Sequence, residues 1–234
     1  KGNIARQGGG IILDRSRMVI RNTVYVSNNA QDYFAGPSEG GIGGGISVRG
    51  GAPTIVDCIF DGNIAAVSGG ALYVNDDCEG AIENATIAAN SALYGGALWA
   101  RSSSLNVVDT RFISNFGRVS GGGVYVERDS SVLERLTLTR NRAEQGGAFF
   151  SSSSSTTLRG NVLTGNTADL GGGVFSYQSS CQHDSNRIES NTAVLEGGGI
   201  AVVNGTDSFV DCVVQTNDAP LGGGMMAEHS NVSL

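Results

Sequence analysis

A phrase of two or three glycines followed by strand-forming residues recurs along the whole chain. It reads GGALYV at residue 69 and returns as GGALWA, GGGVYV, GGAFFS, GGGVFS, GGGIAV and GGGMMA. It begins at Gly8, Gly43, Gly69, Gly95, Gly121, Gly146, Gly171, Gly197 and Gly222, so that after the first interval the steps are 25 or 26 residues. A fixed period of this length indicates repeated units that stack on one another to bury their apolar side.

A second phrase, in which a bulky apolar residue stands three positions before an asparagine, keeps step with the first. It reads FDGN, IAAN, FISN, LTRN, LTGN, IESN and VQTN. Its asparagines are Asn63, Asn90, Asn115, Asn141, Asn166, Asn191 and Asn217, and Asn28 fits the same column one unit earlier. We interpret this column as a structural amide ladder, in which each side chain bonds to the one above it.

Short strand-like runs separated by glycine and polar turns at this spacing are typical of a parallel β-helix. We predict an all-β, single-stranded solenoid of about nine coils that spans residues 1–234 as one domain. Apolar residues that follow the glycines by three positions, such as Leu72 and Leu98, and those that open the second phrase, such as Phe60, are predicted to point inward. The chain begins at Lys1 and ends in mid-pattern, which suggests a piece of a longer protein.

The connection from Asn28 to Gly43 is longer than the equivalent connection in every other coil. We predict that residues 29–42 leave the rod as a loop carrying Tyr33 and Phe34. Protruding loops on rigid scaffolds often carry recognition, although an insertion of this size can also be tolerated without a role.

With both phrases established, the sequence resembles the repeats of chlamydial polymorphic membrane proteins, which carry short GGA-aliphatic and FxxN motifs. The matching stretches here are GGAL at residues 69 and 95, FDGN at 60 and FISN at 112. The resemblance covers nearly the whole chain. It implies a pectin-lyase-like, right-handed β-helix and a cell-surface or adhesive role.

Four cysteines allow three disulfide connectivities. Cys58 and Cys212 share a column but lie six coils apart, about 29 Å at the usual strand spacing. A disulfide requires Cα atoms within about 7 Å, so only the pairs Cys58–Cys78 and Cys181–Cys212 join neighbouring coils. We therefore predict these two disulfides, with four buried thiols as the alternative.

Three sequons for N-glycosylation occur, at Asn84, Asn204 and Asn231. Asn84 shares a column with Asp57 and Asp109, which places it toward solvent. Together with the predicted disulfides, the sequons favour an extracellular or cell-surface location.

An aromatic column follows the inward column by one residue on five consecutive coils. Its members are Tyr73, Trp99, Tyr125, Phe150 and Phe175. Stacked at the strand spacing, these rings would form a flat strip about 20 Å long on the outer face. Such a strip can bind a partner protein or a glycan, unless the chain's own loops cover it.

An enzyme of this architecture would need carboxylates on adjacent coils, for a calcium cluster or for an acid–base pair. The acids of the solvent-facing column, such as Asp57 and Asp109, never occupy consecutive coils. Glu134, Arg159 and Asp184 fit an exposed salt-bridge ladder, and His183 stands in an apolar column as a core substitution. No metal-ligand spacing or catalytic triad emerges, so we expect no metal, no cofactor and no catalysis.

The net charge of −7, with Lys1 as the only lysine, disfavours nucleic acid and anionic membranes as partners. The sequence contains no run of about 18 apolar residues, the length that a helix needs to span a bilayer. The sequence therefore predicts a non-catalytic structural or adhesive unit of a surface protein, appendage or fibre, whose partners are surface or fibre proteins, further copies of the chain, or glycans. A carbohydrate-binding or polysaccharide-cleaving β-helix is the alternative.

Overall fold

A computed structural model describes residues 1–31 and 40–234 of the chain. Within those residues every pairing between strands is parallel, and it joins residues one coil apart. Each full coil passes through four sheets, which we call B, C, D and A in the order the chain visits them. The predicted all-β solenoid is confirmed, with nine described strands in the longest sheet.

Sheets B and C form the first two sides of each coil. The described strands of sheet B are Ile11–Ser16, Ile46–Gly51, Leu72–Asn75, Leu98–Arg101, Val124–Glu127, Phe149–Ser152, Val174–Tyr177, Ile200–Val203 and Met225–Glu228. Those of sheet C are Val19–Arg21, Thr54–Val56, Ala81–Glu83, Asn106–Val108, Val132–Glu134, Thr157–Arg159, Gln182–Asp184 and Ser208–Val210.

Sheets D and A complete the coil. The described strands of sheet D are Val24–Val26, Ile59–Asp61, Thr86–Ala88, Arg111–Ile113, Thr137–Thr139, Val162–Thr164, Arg187–Glu189 and Val213–Gln215. Sheet A contains Ile4–Ala5, Asn29–Ala30, Ile64–Ala65, Ser91–Tyr94 and Phe116–Ser120, and continues through isolated bridges at Arg142 to Thr167–Leu170 and Thr192–Glu196.

The core is a continuous apolar column inside the solenoid. Leu72 pairs with Ile46 on one side and Leu98 on the other, and all three are at most 1% exposed. Phe60 and Phe112 of sheet D are fully buried as well. The inward directions predicted for both columns are therefore correct, and the residues at the two ends of the solenoid, such as Met225, are only partly buried against the same core.

The two glycines of each phrase serve different purposes. Gly95 has a φ of 61°, in the left-handed region where a side chain is strained. Gly96 has an ordinary φ, but a Cβ there would collide with the carbonyl oxygen of Gly122 and the backbone of Phe116. The first glycine therefore makes the turn, and the second allows neighbouring backbones to approach closely.

The remaining corners turn on single residues of other types. Between sheets C and D, the left-handed position is held by Asp57, Asn84, Asp109, Arg135, Gly160, Ser185 and Asp211, with φ between 48° and 60°. The solvent-facing column of the sequence is thus a column of left-handed corners. Aspartate and asparagine are among the residues that tolerate this conformation best.

The asparagine column forms a hydrogen-bonded ladder from Asn3 to Asn217. Each Oδ1 accepts from the backbone N–H and from the side-chain Nδ2 of the asparagine one coil before it; for Asn141 both bonds are 3.0 Å. The side chains of the central coils are at most 1% exposed. From Asn63 to Asn217, each Nδ2 also donates to a backbone carbonyl, as that of Asn141 does to Phe112. The ladder therefore satisfies the polar groups of a tight corner without water.

A second, shorter asparagine ladder lies at the corner between sheets C and D. The Oδ1 of Asn161 accepts from the backbone N–H of Leu136, and that of Asn186 accepts from the N–H of Asn161, at 2.8 and 2.9 Å. Earlier coils fill this column with Cys58 and other residues, so the sequence offered no repeated asparagine to identify it.

The predicted disulfides Cys58–Cys78 and Cys181–Cys212 are wrong, since all four cysteines are free thiols. A disulfide requires its two cysteines to lie on the same or neighbouring coils, and it also requires them to lie at the same corner of the coil. Cys58 and Cys212 precede strands of sheet D, whereas Cys78 and Cys181 precede strands of sheet C. Each predicted pair is therefore separated by the width of sheet C. Burial raises the pKa of Cys181 to about 12, which keeps that thiol protonated.

Removing one amide from the long ladder should destabilise the solenoid strongly. Asn141→Ala deletes the acceptor of two bonds and the donor of two more, all within the buried corner. We expect a loss of about 3 kcal/mol in the free energy of unfolding, measured by urea denaturation. The exposed Asn106→Ala is the control, expected to change stability by less than about 0.5 kcal/mol. Equal effects of the two variants would contradict the structural role of the ladder.

A buried carboxyl inside the core should make stability depend on pH. Asp129 is 2% exposed, and its Oδ2 has no hydrogen-bond partner among the described residues. Burial raises the pKa of this carboxyl, although hydrogen bonds from Ser131 and Thr156 oppose the shift. A carboxyl whose pKa is raised by folding contributes stability below its unfolded pKa of about 3.9, and this contribution is lost as the pH rises through the folded value.

Asp129→Asn should therefore become increasingly stable relative to the unmodified protein as the pH rises from about 4, where unfolded aspartate ionises. The measurement is the thermal midpoint across a pH series. Asp61→Asn, at an exposed position of sheet D, should leave the pH dependence unchanged. A constant difference between Asp129→Asn and the unmodified protein at every pH would contradict this assignment.

Candidate contact surfaces

The aromatic column forms a continuous stack on the outer side of sheet B. Ring centroids of Tyr73 and Trp99 are 4.7 Å apart with an interplanar angle of 6°, and Phe150 and Phe175 are 5.5 Å apart at 3°. Tyr125 connects the two halves, 6.1 Å from Trp99 and 4.8 Å from Phe150. Parallel strand register alone produces this geometry, because residues in register on successive coils project in the same direction.

The stack is not an open contact surface, contrary to the prediction. Tyr73, Trp99, Phe150 and Phe175 are only 5–8% exposed, and Tyr125 is half-buried. Segments at the end of sheet A cover the rings. The covering side chains include Ile42, Val67 and Tyr94 over the first half and Leu170 over the second. The rings therefore form a second apolar core outside the solenoid, and burial raises the pKa of Tyr125 to about 12.

A groove of about 380 Å³ remains beside the second half of the stack. The edges of Phe150 and Phe175 reach it, and Leu170, Tyr177 and Met226 are among its other apolar walls. Glu196 and Glu228 line it as well. This part of the predicted strip therefore offers a concave surface to a partner.

Two other predicted contact residues, Tyr33 and Phe34, lie outside the described residues. The flanks of the predicted insertion at residues 29–42 belong to the solenoid. Asn29–Ala30 is a strand of sheet A, and Ile42 forms bridges to Gln7 and Ser68.

The three sequon asparagines are all exposed. Asn84 and Asn204 stand at left-handed corners, with φ of 48° and 54°. The side-chain nitrogen of Asn84 donates to Oδ1 of Asp57 at 2.6 Å. Among the described residues each of these side chains is therefore accessible to modification.

Three of the acidic residues tested for catalysis, Asp109, Glu134 and Asp184, contact an arginine. Both carboxylate oxygens of Asp109 accept from Arg135, at 2.8 and 3.0 Å, and this hydrogen bonding lowers the pKa of the Asp109 carboxyl. Arg135 also contacts Glu134, and Arg159 pairs with Asp184 at 3.1 Å. The expected ladder through residues 134, 159 and 184 is thus divided into two groups, because Glu134 pairs within its own coil.

His183 lies in the apolar column as predicted, 1% exposed and stacked on Phe209 with centroids 4.2 Å apart. Its Nε2 is 3.5 Å from Oδ2 of Asp207, which is also fully buried. Sequence reasoning missed this buried pair, because Asp207 stands in a turn. Neither side chain reaches the surface, since both are at most 1% exposed.

Among residues 1–31 and 40–234, no group of three or more histidine, cysteine or acidic side chains is arranged to hold a metal ion. The same residues contain no helix with the length and apolarity needed to span a bilayer.

A family model described as a right-handed β-helix region matches residues 44–219 of the chain. The match supports the right-handedness expected from the resemblance and covers the seven asparagines from Asn63 to Asn217. Neither the curated proteins nor the solved structures contain a significant match.

The buried position of the aromatic stack predicts a structural effect of mutation. Trp99→Ala should lower the free energy of unfolding by about 3–5 kcal/mol, because it leaves a cavity between Tyr73 and Tyr125. Ile59→Ala, at a 44% exposed position of sheet D, should cost less than about 1 kcal/mol. Urea denaturation of both variants provides the measurement. A Trp99 variant as stable as the Ile59 variant would show that the rings are open to solvent after all.

Proposed function

Because this chain belongs to the right-handed β-helix family, whose fold alone does not specify an activity, we propose its function from its surfaces. It is a non-catalytic, rigid unit of an extracellular surface protein, appendage or fibre. It makes lateral or partner contacts through the sides of the rod.

The observation that carries this proposal is the unbroken coil-to-coil connection. The asparagine ladder continues from Asn3 to Asn217 across all the described coils, and the apolar core runs beside it. The ring stack adds a second buried column on the outer side of sheet B. A rod with no described break in core or ladder resists bending, which suits a spacer or a fibre unit.

The state of the acidic side chains supports the non-catalytic part of the proposal. A general acid at neutral pH needs a raised pKa, and a general base needs a free oxygen close to substrate. Asp109 has the opposite properties, since Arg135 occupies both of its oxygens and lowers its pKa. The buried His183 and Asp207 are inaccessible.

The extracellular part rests on two observations. Asn84, Asn204 and Asn231 are exposed sequon positions, and the GGAL and FxxN phrases resemble those of chlamydial surface proteins. The free thiols do not indicate a cellular location, because buried cysteines can remain reduced in any compartment.

A carbohydrate-binding role is the second candidate, and the groove beside Phe150 and Phe175 favours it. Apolar ring edges together with the carboxylates of Glu196 and Glu228 are features that sugar-binding sites use. In this candidate the rod still performs no chemistry, and the groove adds recognition.

A polysaccharide depolymerisation assay, with and without Ca²⁺, tests the proposal. We expect no cleavage of neutral or acidic polysaccharides at any pH. Cleavage that is abolished by Asp109→Ala but retained in Asp61→Ala would overturn the non-catalytic assignment. A glycan array run alongside distinguishes the two candidates: binding that is lost in Phe175→Ala, in a variant that remains folded, would establish carbohydrate recognition at the groove.

A further inference from the structure

The outer side of sheet A carries two exposed columns of side chains. On four successive coils the pattern along the strand is exposed, buried, exposed. The buried residues between the two columns point into the coil; they are Gly117, Ala143, Ala168 and Ala193. Register is fixed by backbone pairing, since Phe116 pairs with Arg142, Arg142 with Thr167, and Thr167 with Thr192. The result is a shallow groove of about 420 Å³ that runs along the rod.

The two columns differ in chemistry. The first consists of Phe116, Arg142, Thr167 and Thr192. The second consists of Arg118, Glu144, Asp169 and Val194. On each coil the two columns carry groups that can attract each other. In coil order, these pairs are a ring and an arginine (116 and 118), an arginine and a glutamate (142 and 144), a hydroxyl and an aspartate (167 and 169), and a methyl group and a valine (192 and 194).

These charges have no ion-pair partner among the described residues. Arg118, Arg142, Glu144 and Asp169 form no salt bridge with residues 1–31 or 40–234, although Arg142 lies 6.0 Å from the centre of the Phe116 ring. Some charged residues of sheets C and D instead pair with one another, as Arg159 does with Asp184 and Arg187 with Glu189. The charges on sheet A are thus available to a second molecule.

We propose that sheet A is the interface of a parallel homodimer, in which two copies pack side by side with their coils at equal height. A two-fold axis parallel to the rod keeps each coil at its level and exchanges the two columns. Arg142 then faces Glu144 of the second copy, and Glu144 faces its Arg142. The same rotation places Phe116 against Arg118 and Thr167 against Asp169, each contact occurring twice.

The backbone between the two columns forms the bottom of the groove. Ala143 and Ala168 point into the coil, so no side chain rises between the columns, and Arg142 and Glu144 can lie across the groove. Apolar groups continue both columns on the coil of residues 192–194, where Val194 is 64% exposed and Thr192 presents an exposed methyl group. Their burial would add the apolar contact that a stable interface needs.

An antiparallel arrangement does not bring Arg142 opposite Glu144. A two-fold axis across the rod places each column against itself, so that Arg142 faces only members of the first column and Glu144 only members of the second. Reciprocal contacts between Arg142 and Glu144 are therefore specific to the parallel arrangement.

The proposed dimer specifies the partner of the rigid rod and therefore rests on the proposed structural function. Its test is independent of the depolymerisation assay. A protein that cleaves polysaccharide could still dimerise, and a monomeric protein could still be non-catalytic.

Sedimentation equilibrium of the unmodified protein and of charge-reversed variants tests the interface. Arg142→Glu and Glu144→Arg should each weaken dimerisation by about 100-fold or more, because each places two like-charged contacts in the interface. The double variant Arg142→Glu with Glu144→Arg should dimerise like the unmodified protein, since the exchange restores both pairs. The two single variants, when mixed, should form a heterodimer although neither associates with itself.

Asp184→Arg, a reversal on sheet C, is the control and should leave dimerisation unchanged. Circular dichroism of every variant establishes that the solenoid is folded. The proposal is overturned if the unmodified chain remains monomeric up to about 1 mM, the upper range of weak complexes. It is equally overturned if a dimer forms that the single reversals do not weaken, or if the double variant fails to restore association.

Discussion

Parallel backbone pairing between residues 25 or 26 apart is the constraint on which the rest of this structure depends. Once Leu72 lies beneath Leu98, every other residue of the coil is placed above its counterpart. The apolar core, the asparagine ladder, the ring stack and the two columns on sheet A are all consequences of this single register. An insertion or deletion within a strand would shift all of them together, because side chains alternate between the two sides of a sheet.

The outer side of a β-helix strand is not necessarily a surface. The aromatic rings of sheet B project away from the core, as alternation requires, yet the end of sheet A covers them. Sheet A shows the opposite case, since its two outward columns remain exposed. The availability of a face for contacts therefore depends on how the neighbouring segment leaves the coil, and the proposed dimer interface follows from that distinction.

Some features could be predicted from the sequence because they repeat. The glycine and FxxN phrases identify the coil, the inward columns and the asparagine positions. Features that do not repeat escaped prediction. Cys58 and Cys78 lie on neighbouring coils but at different corners, and the second ladder through Asn161 and Asn186 occupies a column that holds other residue types elsewhere. Left-handed corners were also missed, because aspartate, arginine and serine occupy them as well as glycine.

The sequence by itself determined the period, the all-β parallel solenoid and which side chains point inward. In a repeat of fixed length, residues one period apart pair in register, so the repeat specifies which residues are neighbours. Only the tertiary structure decided which outward residues are covered, which charges find partners, and which corner each cysteine occupies. These properties depend on the lateral path of the chain around the coil. Periodicity fixes the height of a residue along the rod, but the angles of the turns fix its position around it.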